Sequence, residues 1–446
     1  MARNLVIIAI LAVIFAGLLY LKPWKSTDLP PRFFDRLPEE TIVGKTDILE
    51  LSKMLQPAIF KSKAAFRDFV TPEFILSQGK GYGLDIQSPV YFFANEKGKE
   101  LSSWGIMISV KDSSKVRDGI DRIRKVLPMS DSVFSGQRVY YNFRQDITLA
   151  YGKDWLLICK DKPNNSYLNR VMHAKLNGIS PRWRNFLNLT LYNDKHLSFQ
   201  VISEPLQKNG LQSILVGAES DSSMITLHTC VTQFDSLSFE LRNTGPSLEG
   251  ESFTNSLVNV HLSIDKLRER PNDPIYLYLQ KLGKKVSFPL QDFLNAWEGD
   301  LAFRQGGIQV IQEQYIESEF DENFNITEVT KYKDVKISGF ALYLSMNENG
   351  KDFINKLFAK GIITKDSNKF RLLFSPPIFL SKNDHSLSFY TSRFAPKMSN
   401  NGVNGGMVTI NQVPVNFYLD STLDKSLHGR ITFPIQRFIP ETLSLQ

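Results

Sequence analysis

The chain has 446 residues, 42% of them hydrophobic and 22% charged, with a formal net charge of +7. That length exceeds a single ordinary core, and that balance excludes a disordered chain. The excess of Lys and Arg is dispersed and broken by Asp, as in "RDGIDRIRK", so it forms no basic stripe for nucleic acid.

In chain order the first element is "MARNLVIIAILAVIFAGLLYLKPWK". Leu5 to Leu21 carries no charge over 17 residues, which as a helix spans about 25 Å against a bilayer core of about 30 Å. Tyr20, Trp24, Lys22 and Lys25 stand where interfacial residues belong. Cleavage after Ala16 or Gly17 would put Ile14 or Phe15 where a small residue is needed, so the segment is expected to stay attached as a signal-anchor. A strict count of flanking charges puts the body in the cytoplasm, whereas the short tail before a signal-like segment favours export. The expectation is a single-pass inner-membrane protein with a periplasmic body, its lipid bilayer contact running from Leu5 to Leu21. After the anchor (1–25) comes "STDLPPRFFDRLP" (26–38), whose prolines read as a semi-rigid spacer.

From residue 39 onward two stretches of chain resemble each other. "WGIMISVKDSSKVRDGIDRIRKV" (104–126) matches "FALYLSMNENGKDFINKLFAKGI" (340–362), each a strand, a polar turn and a helix. Val116, Ile120, Ile123 and Leu127 make an apolar helical face in the first, as Phe353, Ile354, Leu357 and Phe358 do in the second. "ITLAYGKDWLLICKD" (147–161) aligns with "IFLSKNDHSLSFYTS" (378–392) as strand, tight turn, strand, and "TIVGKTDILELSKML" (41–55) with "SLVNVHLSIDKLRER" (256–270). The fold expected is α+β, mostly antiparallel sheets with helices on one face, in two copies covering 39–250 and 251–446.

The stretch "GKGYGLDIQSPVYFF" (79–93) has the glycines of a phosphate loop, Gly79, Gly81 and Gly83. A phosphate loop opens into a helix, whereas here Pro89 and a Val-Tyr-Phe-Phe run announce a strand, so the reading is a turn and no nucleotide cofactor. "GLDIQSPVYFF", preceded by "LPEETIVGKTDILEL", resembles an uncharacterised bacterial family of envelope-anchored proteins marked by a "GIDl..PvYfF" motif. The likeness covers mainly residues 38–130. It implies an exported, membrane-tethered body and carries over no catalytic residue. Members often have a lipoprotein cysteine near the N-terminus, in place of which this chain has its apolar run.

Chemistry is sparse. The two cysteines, Cys159 and Cys230, belong to no CxxC pair, which excludes a zinc ribbon or thioredoxin chemistry. Both lie in strand-like runs, as two buried thiols or as one disulfide. His173, His196, His228, His261, His385 and His428 are all more than four residues apart, so no metal site is expected on a single element. No GxSxG elbow, P-loop, HExxH or EF-hand occurs. The arginine–aromatic mixtures "SPRWRNFL" and "PPRFFDR" are short and isolated; the first is expected to cap or pack a core, and the second, beside the anchor, to rest on lipid headgroups. The weak catalytic candidates are Asp85, Glu298 and Asp300, where paired carboxylates could do acid–base work if one pKa were raised. Asp85 and Asp300 occupy matching places before equivalent strands, which turn-stabilising hydrogen bonds also explain. The function expected is a non-enzymatic binding or scaffolding component of the cell envelope, facing another envelope protein or cell-wall material. The alternative is an envelope hydrolase with its carboxylates at the interface of the repeats.

Overall fold

The computed structural model describes residues 33–435 apart from 62–70, 98–99, 161–165, 175–177, 190–191, 193, 222, 250–253, 321–323, 325, 367–368, 373–376 and 392–395. Packing divides the chain into two units. One runs to Phe234 and resumes at Arg430, and the other covers Asp235–Gly429.

The first unit is built on β1 (Ile42–Thr46), β2 (Val90–Lys97), β3 (Glu100–Ser109), β4 (Ser130–Phe134), β5 (Gln137–Asn142), β6 (Ile147–Tyr151), β7 (Trp155–Lys160), β8 (Leu197–Val201), β9 (Leu211–Ser220) and β10 (Met224–Gln233). Their spatial order is β10-β9-β8-β1-β2-β3-β7-β6-β5-β4, every pair antiparallel. Between β3 and β4 lies the helix Ser113–Val126, capped by Asp112, whose Oδ1 accepts from the N–H groups of Ser114 and Lys115 at 3.0 and 3.3 Å.

Side chains alternate across a strand, so a sheet covered on both faces needs two cores. Strand β7 shows this directly. Leu156 and Ile158 join a cluster with Ile48, Leu76, Val116 and Ile120 from three helices. Trp155, Leu157 and Cys159 point the other way, into a second cluster with Tyr167, Leu168, Trp183 and Phe186 from helices Ser166–Met172 and Pro181–Leu187. Helices therefore flank both faces of this sheet. Strand makes up 51% and helix 25% of the described residues, so the antiparallel sheet sets the architecture, and the expected α+β arrangement with helices on one face is corrected. Both cysteines are buried in the second cluster and neither forms a disulfide.

The second unit contains β11 (Glu240–Leu241), β12 (Gly245–Leu248), β13 (Thr254–Ser263), β14 (Trp297–Phe320), β15 (Ile326–Met346), β16 (Ile363–Asp366), β17 (Lys369–Leu372), β18 (Pro377–Asn383), β19 (Ser386–Tyr390), β20 (Met398–Gly402), β21 (Gly405–Ile410) and β22 (Val413–Leu423). Its order β22-β21-β13-β14-β15-β19-β18-β17-β16 repeats that of β9-β8-β1-β2-β3-β7-β6-β5-β4. One face packs Leu344, Leu387 and Phe389 against helices that include Gly350–Ala359. On the other, Ala302, Ala341 and Tyr390 pack under Leu248 and Met398, which belong to the two-stranded ribbon β12–β20.

Two further expectations change. Among the described residues no helix is long and apolar enough to cross a membrane. The longest, Ile48–Lys61 and Ser113–Val126, have 14 residues each, about 21 Å of helix where a bilayer core needs about 30 Å. The transmembrane, signal-anchor and single-pass inner-membrane assignments are corrected accordingly; Leu5 to Leu21, with its bilayer contact, lies outside the described residues. Of the expected spacer, residues 33–38 belong to the body. Phe33 is fully buried and packs on Tyr91 at 5.8 Å between ring centroids, and Trp183 Nε1 donates to the Pro38 carbonyl at 2.8 Å. Over residues 33–38, "FFDRLP", aromatic contacts tie the chain to the body.

Candidate functional site

Gly79 and Gly81 fall in the last turns of the helix Pro72–Gly81, and only Gly83 of the three has positive φ, 71°. The Gly83 carbonyl accepts from Lys111 and Asp112 N–H at 2.9 and 3.0 Å, and a Cβ there would lie 2.1 Å from the Asp112 carbonyl oxygen. These glycines close a helix instead of opening one, so their N–H groups make no anion cradle.

Asp85, two residues on, is 4% exposed. Its carboxylate meets Lys111 Nζ at 2.9 Å and accepts from Ser88 Oγ at 2.9 Å, while its N–H donates to the Ser109 carbonyl at 2.8 Å. Asp300 is held in a similar way, at 6% exposure. Its N–H donates to Ser345 Oγ at 2.9 Å; its Oδ1 accepts from His261 Nδ1 at 3.0 Å and from the Arg242 guanidinium. Asn404 completes the cluster: its Oδ1 accepts from His261 N–H at 2.6 Å and its Nδ2 donates to the Arg242 carbonyl at 2.5 Å. Burial alone would raise the Asp300 pKa, but the His261 hydrogen bond and the Arg242 charge outweigh it and hold the carboxyl below its ordinary range.

Glu298 goes elsewhere. A register shift between Trp297 and Leu301, with Gly299 at φ 100°, sends Glu298 into a cleft of about 620 Å³ while Asp300 turns into the sheet. The cleft is also lined by Lys351, Lys382, Asp384 and His385, and Asp300 is not among its lining residues. The two carboxylates expected as an acid–base pair therefore do not face one site, and Asp85 lies in the other unit. Raised carboxylate pKa values, which a general acid requires, are absent at Asp300, where the shift is downward. Among the described residues no group of His, Cys, Asp and Glu is placed to hold a metal ion.

A different feature stands out. β14 and β15 are 24 and 21 residues long, against a usual strand of about 5–6. β13 pairs with β14 only as far as Gly306, and β19 pairs with β15 only from Ala341 onward. Beyond that boundary Ile308↔Ser338 to Phe320↔Ile326 pair only with each other, thirteen consecutive pairs. Among the described residues they form a free ribbon, about 40 Å long at ~3.3 Å per residue. A bulge separates it from the sheet: Gly306 and Gly307, with φ 139° and 74°, stand opposite Gly339 alone.

One face of this arm carries Ile308, Val310, Ile316, Phe320, Ile326 and Tyr332, each between 59% and 77% exposed. The opposite face mixes half-buried Ile311, Val329, Val335 and Ile337 with ion pairs in which Lys331 holds Glu317 at 2.7 Å and also Glu319. Near the tip Phe324 is 85% exposed. Sequence reasoning missed the arm. "IQVIQEQYIESEF" reads like an ordinary half-buried strand, and only the pairing of its neighbours leaves it bare among the described residues.

No protein-family model and no curated protein matches the chain. Among solved structures it is similar to TP0453 in crystal forms IV, I and III, at TM-scores of 0.31, 0.30 and 0.31 and identities of 8%, 9% and 8%. The aligned parts cover 46%, 48% and 47% of this chain and 81%, 82% and 81% of that one. At that level of likeness no fold, residue or role carries across.

Proposed function

We propose that the chain is a non-enzymatic binding or scaffolding protein whose contact surface is the β14–β15 arm. One observation carries the reading: six large apolar side chains stand more than half exposed on one face of a ribbon that no other described strand supports. An isolated two-stranded ribbon is only marginally stable in water, and six exposed large apolar side chains interspersed with polar ones on one face mark an interaction site. The acids support the same reading from the other side. Asp85 and Asp300 are buried and engaged with Lys111 and Arg242, as structural carboxylates are. The hydrolase alternative draws less support, because Glu298 enters its cleft without either of the other two candidates.

The test shortens the arm in the full chain by replacing residues 308–338 with Asn-Gly, a pair suited to a two-residue hairpin turn. The shortened chain is expected to keep its far-UV circular dichroism and cooperative melting. It is also expected to lose the partners that in-cell cross-linking and mass spectrometry find on the intact chain. Retention of every partner by the shortened chain sinks the reading.

A further inference from the structure

We infer that the occupant of the arm's apolar face is the arm of a second copy of this chain, packed face to face and antiparallel about a two-fold axis. The inference rests on the arm being the contact surface, and it names the partner. Its basis is an internal symmetry in the order of side chains along that face.

The centre of the ribbon is the pair Gln314↔Tyr332. Counting from Tyr332, Lys336 stands four residues toward the base and Glu328 four residues toward the tip, both on the apolar face. Counting from 314, Ile308 stands six residues toward the base and Phe320 six toward the tip. Rotation by 180° about an axis across the middle of the arm therefore sets two of the three charges on this face against opposites, while the third, Asp334, meets Thr330. Lys336 of each copy faces Glu328 of the other, Ile308 faces Phe320, and Tyr332 meets its own counterpart on the axis. Stacked sheets lie about 10 Å apart, a gap that Lys and Glu side chains bridge and apolar side chains fill.

Within one chain the same charges cannot meet, being eight residues apart on one strand, about 26 Å. A parallel overlay, with the two-fold axis along the arm, would instead set Lys336 over Val310 and Glu328 over Ser318, leaving both charges without an opposite partner across the contact.

Area agrees with this occupant. The six exposed apolar side chains present on the order of 800 Å² per copy, the per-partner size of a standard specific interface. The contact is isologous and closes on itself, so it yields a dimer and not a fibre. Edge-to-edge polymerisation is opposed by Lys331, Lys333 and Lys336 along β15, since charged residues on an edge strand discourage added strands.

Two sets of full-chain variants test the dimer. In the first, Glu328→Cys chains are mixed with Lys336→Cys chains and treated with a short bis-maleimide; Cys159 and Cys230 are buried and serve as internal blanks. The mixture is expected to give a cross-linked dimer, and either variant alone is expected to give none. Equal cross-linking by Glu328→Cys alone overturns the antiparallel register, and no cross-linking in any mixture overturns the dimer. In the second set, sedimentation equilibrium reads a loss of affinity on the order of tenfold for Lys336→Glu. Recovery in Lys336→Glu/Glu328→Lys supports the pairing, and no change in either variant overturns it. Should the intact chain stay monomeric while an arm-dependent partner of another kind is captured, the dimer fails and the arm stands as the contact surface. Should nothing depend on the arm, both fail.

Discussion

Nδ1 of His261 donates to Oδ1 of Asp300 at 3.0 Å, and the two residues are direct cross-strand partners on β13 and β14. His261 is fully buried, so its hydrogen bond to Asp300 replaces water that neither group can reach. Gly245 packs against both, where a Cβ would stand 2.3 Å from His261 Nδ1 and 2.8 Å from Asp300 Oδ1. The cluster joins β13, β14 and β15 with the segments that carry Arg242 and Asn404, which is a structural role.

Asp300→Asn is therefore expected to destabilise the fold by about 1–3 kcal/mol, since it weakens the charge-assisted hydrogen bonds to buried His261 and to the partly exposed Arg242. Glu298→Gln, two residues away in the cleft, is expected to change stability by no more than about 0.5 kcal/mol. Urea unfolding of the two variants makes the comparison. Equal effects would show that Asp300 does not organise the sheet.

Acid should erase part of that difference. The Asp300 pKa is lowered in the fold from its ordinary 3.8, so its contribution is fully present above that value and is lost as pH falls through the lower folded value. The stability gap between the wild-type chain and Asp300→Asn is expected to be constant from pH 7 to about pH 5 and to shrink below about pH 4. Urea melts across that range read it; a gap that widens on acidification contradicts the assignment.

Glycine at 83 and at 81 should behave in opposite ways. Gly83→Ala meets both a positive φ and the Asp112 carbonyl at 2.1 Å, so a loss of about 1–3 kcal/mol is expected. Gly81→Ala meets nothing within 4 Å at the end of its helix and should be neutral or stabilising by up to ~1 kcal/mol. Thermal melts of the two proteins decide the matter.

A sheet buried on both faces predicts that neighbouring residues of β7 are equally sensitive. Leu156→Ala and Leu157→Ala, which empty the two different clusters, should each cost about 2–5 kcal/mol. With a single covered face, one of the pair would be nearly silent.

Strand β15 offers the reverse contrast along one element. Leu344→Ala, in the core of the second unit, should cost ~2–5 kcal/mol. Tyr332→Ser on the same strand but in the arm should change unfolding of the body by less than about 0.5 kcal/mol, while weakening arm-mediated association. A large stability loss from Tyr332→Ser would mean that the arm is part of the core.

Local elements were legible in the sequence because their causes are local. The spacing of Val116 and Ile120 marks a buried helical face, and the structure buries both. Gly83 was readable as a turn residue, since positive φ is a property of one position. "WLLIC" was readable as a strand but not as one between two cores, because an unbroken apolar run hides which face each residue serves. The spacer was misread where Phe33 and Leu37 find a pocket made by distant residues such as Tyr91 and Trp183. By itself, then, the sequence determined the strand, turn and helix of 104–126 and the strand, turn and strand of 147–160, all matters of spacing along the chain. The helix Pro72–Gly81 that holds Gly79 and Gly81 reads there as a turn. Only the tertiary structure decided that Asp300 faces His261, that Glu298 turns away from it, and that among the described residues β14 and β15 run on past their neighbours. Each of those depends on strand register and on where an adjacent strand stops, and neither is written in the residues of the strand itself.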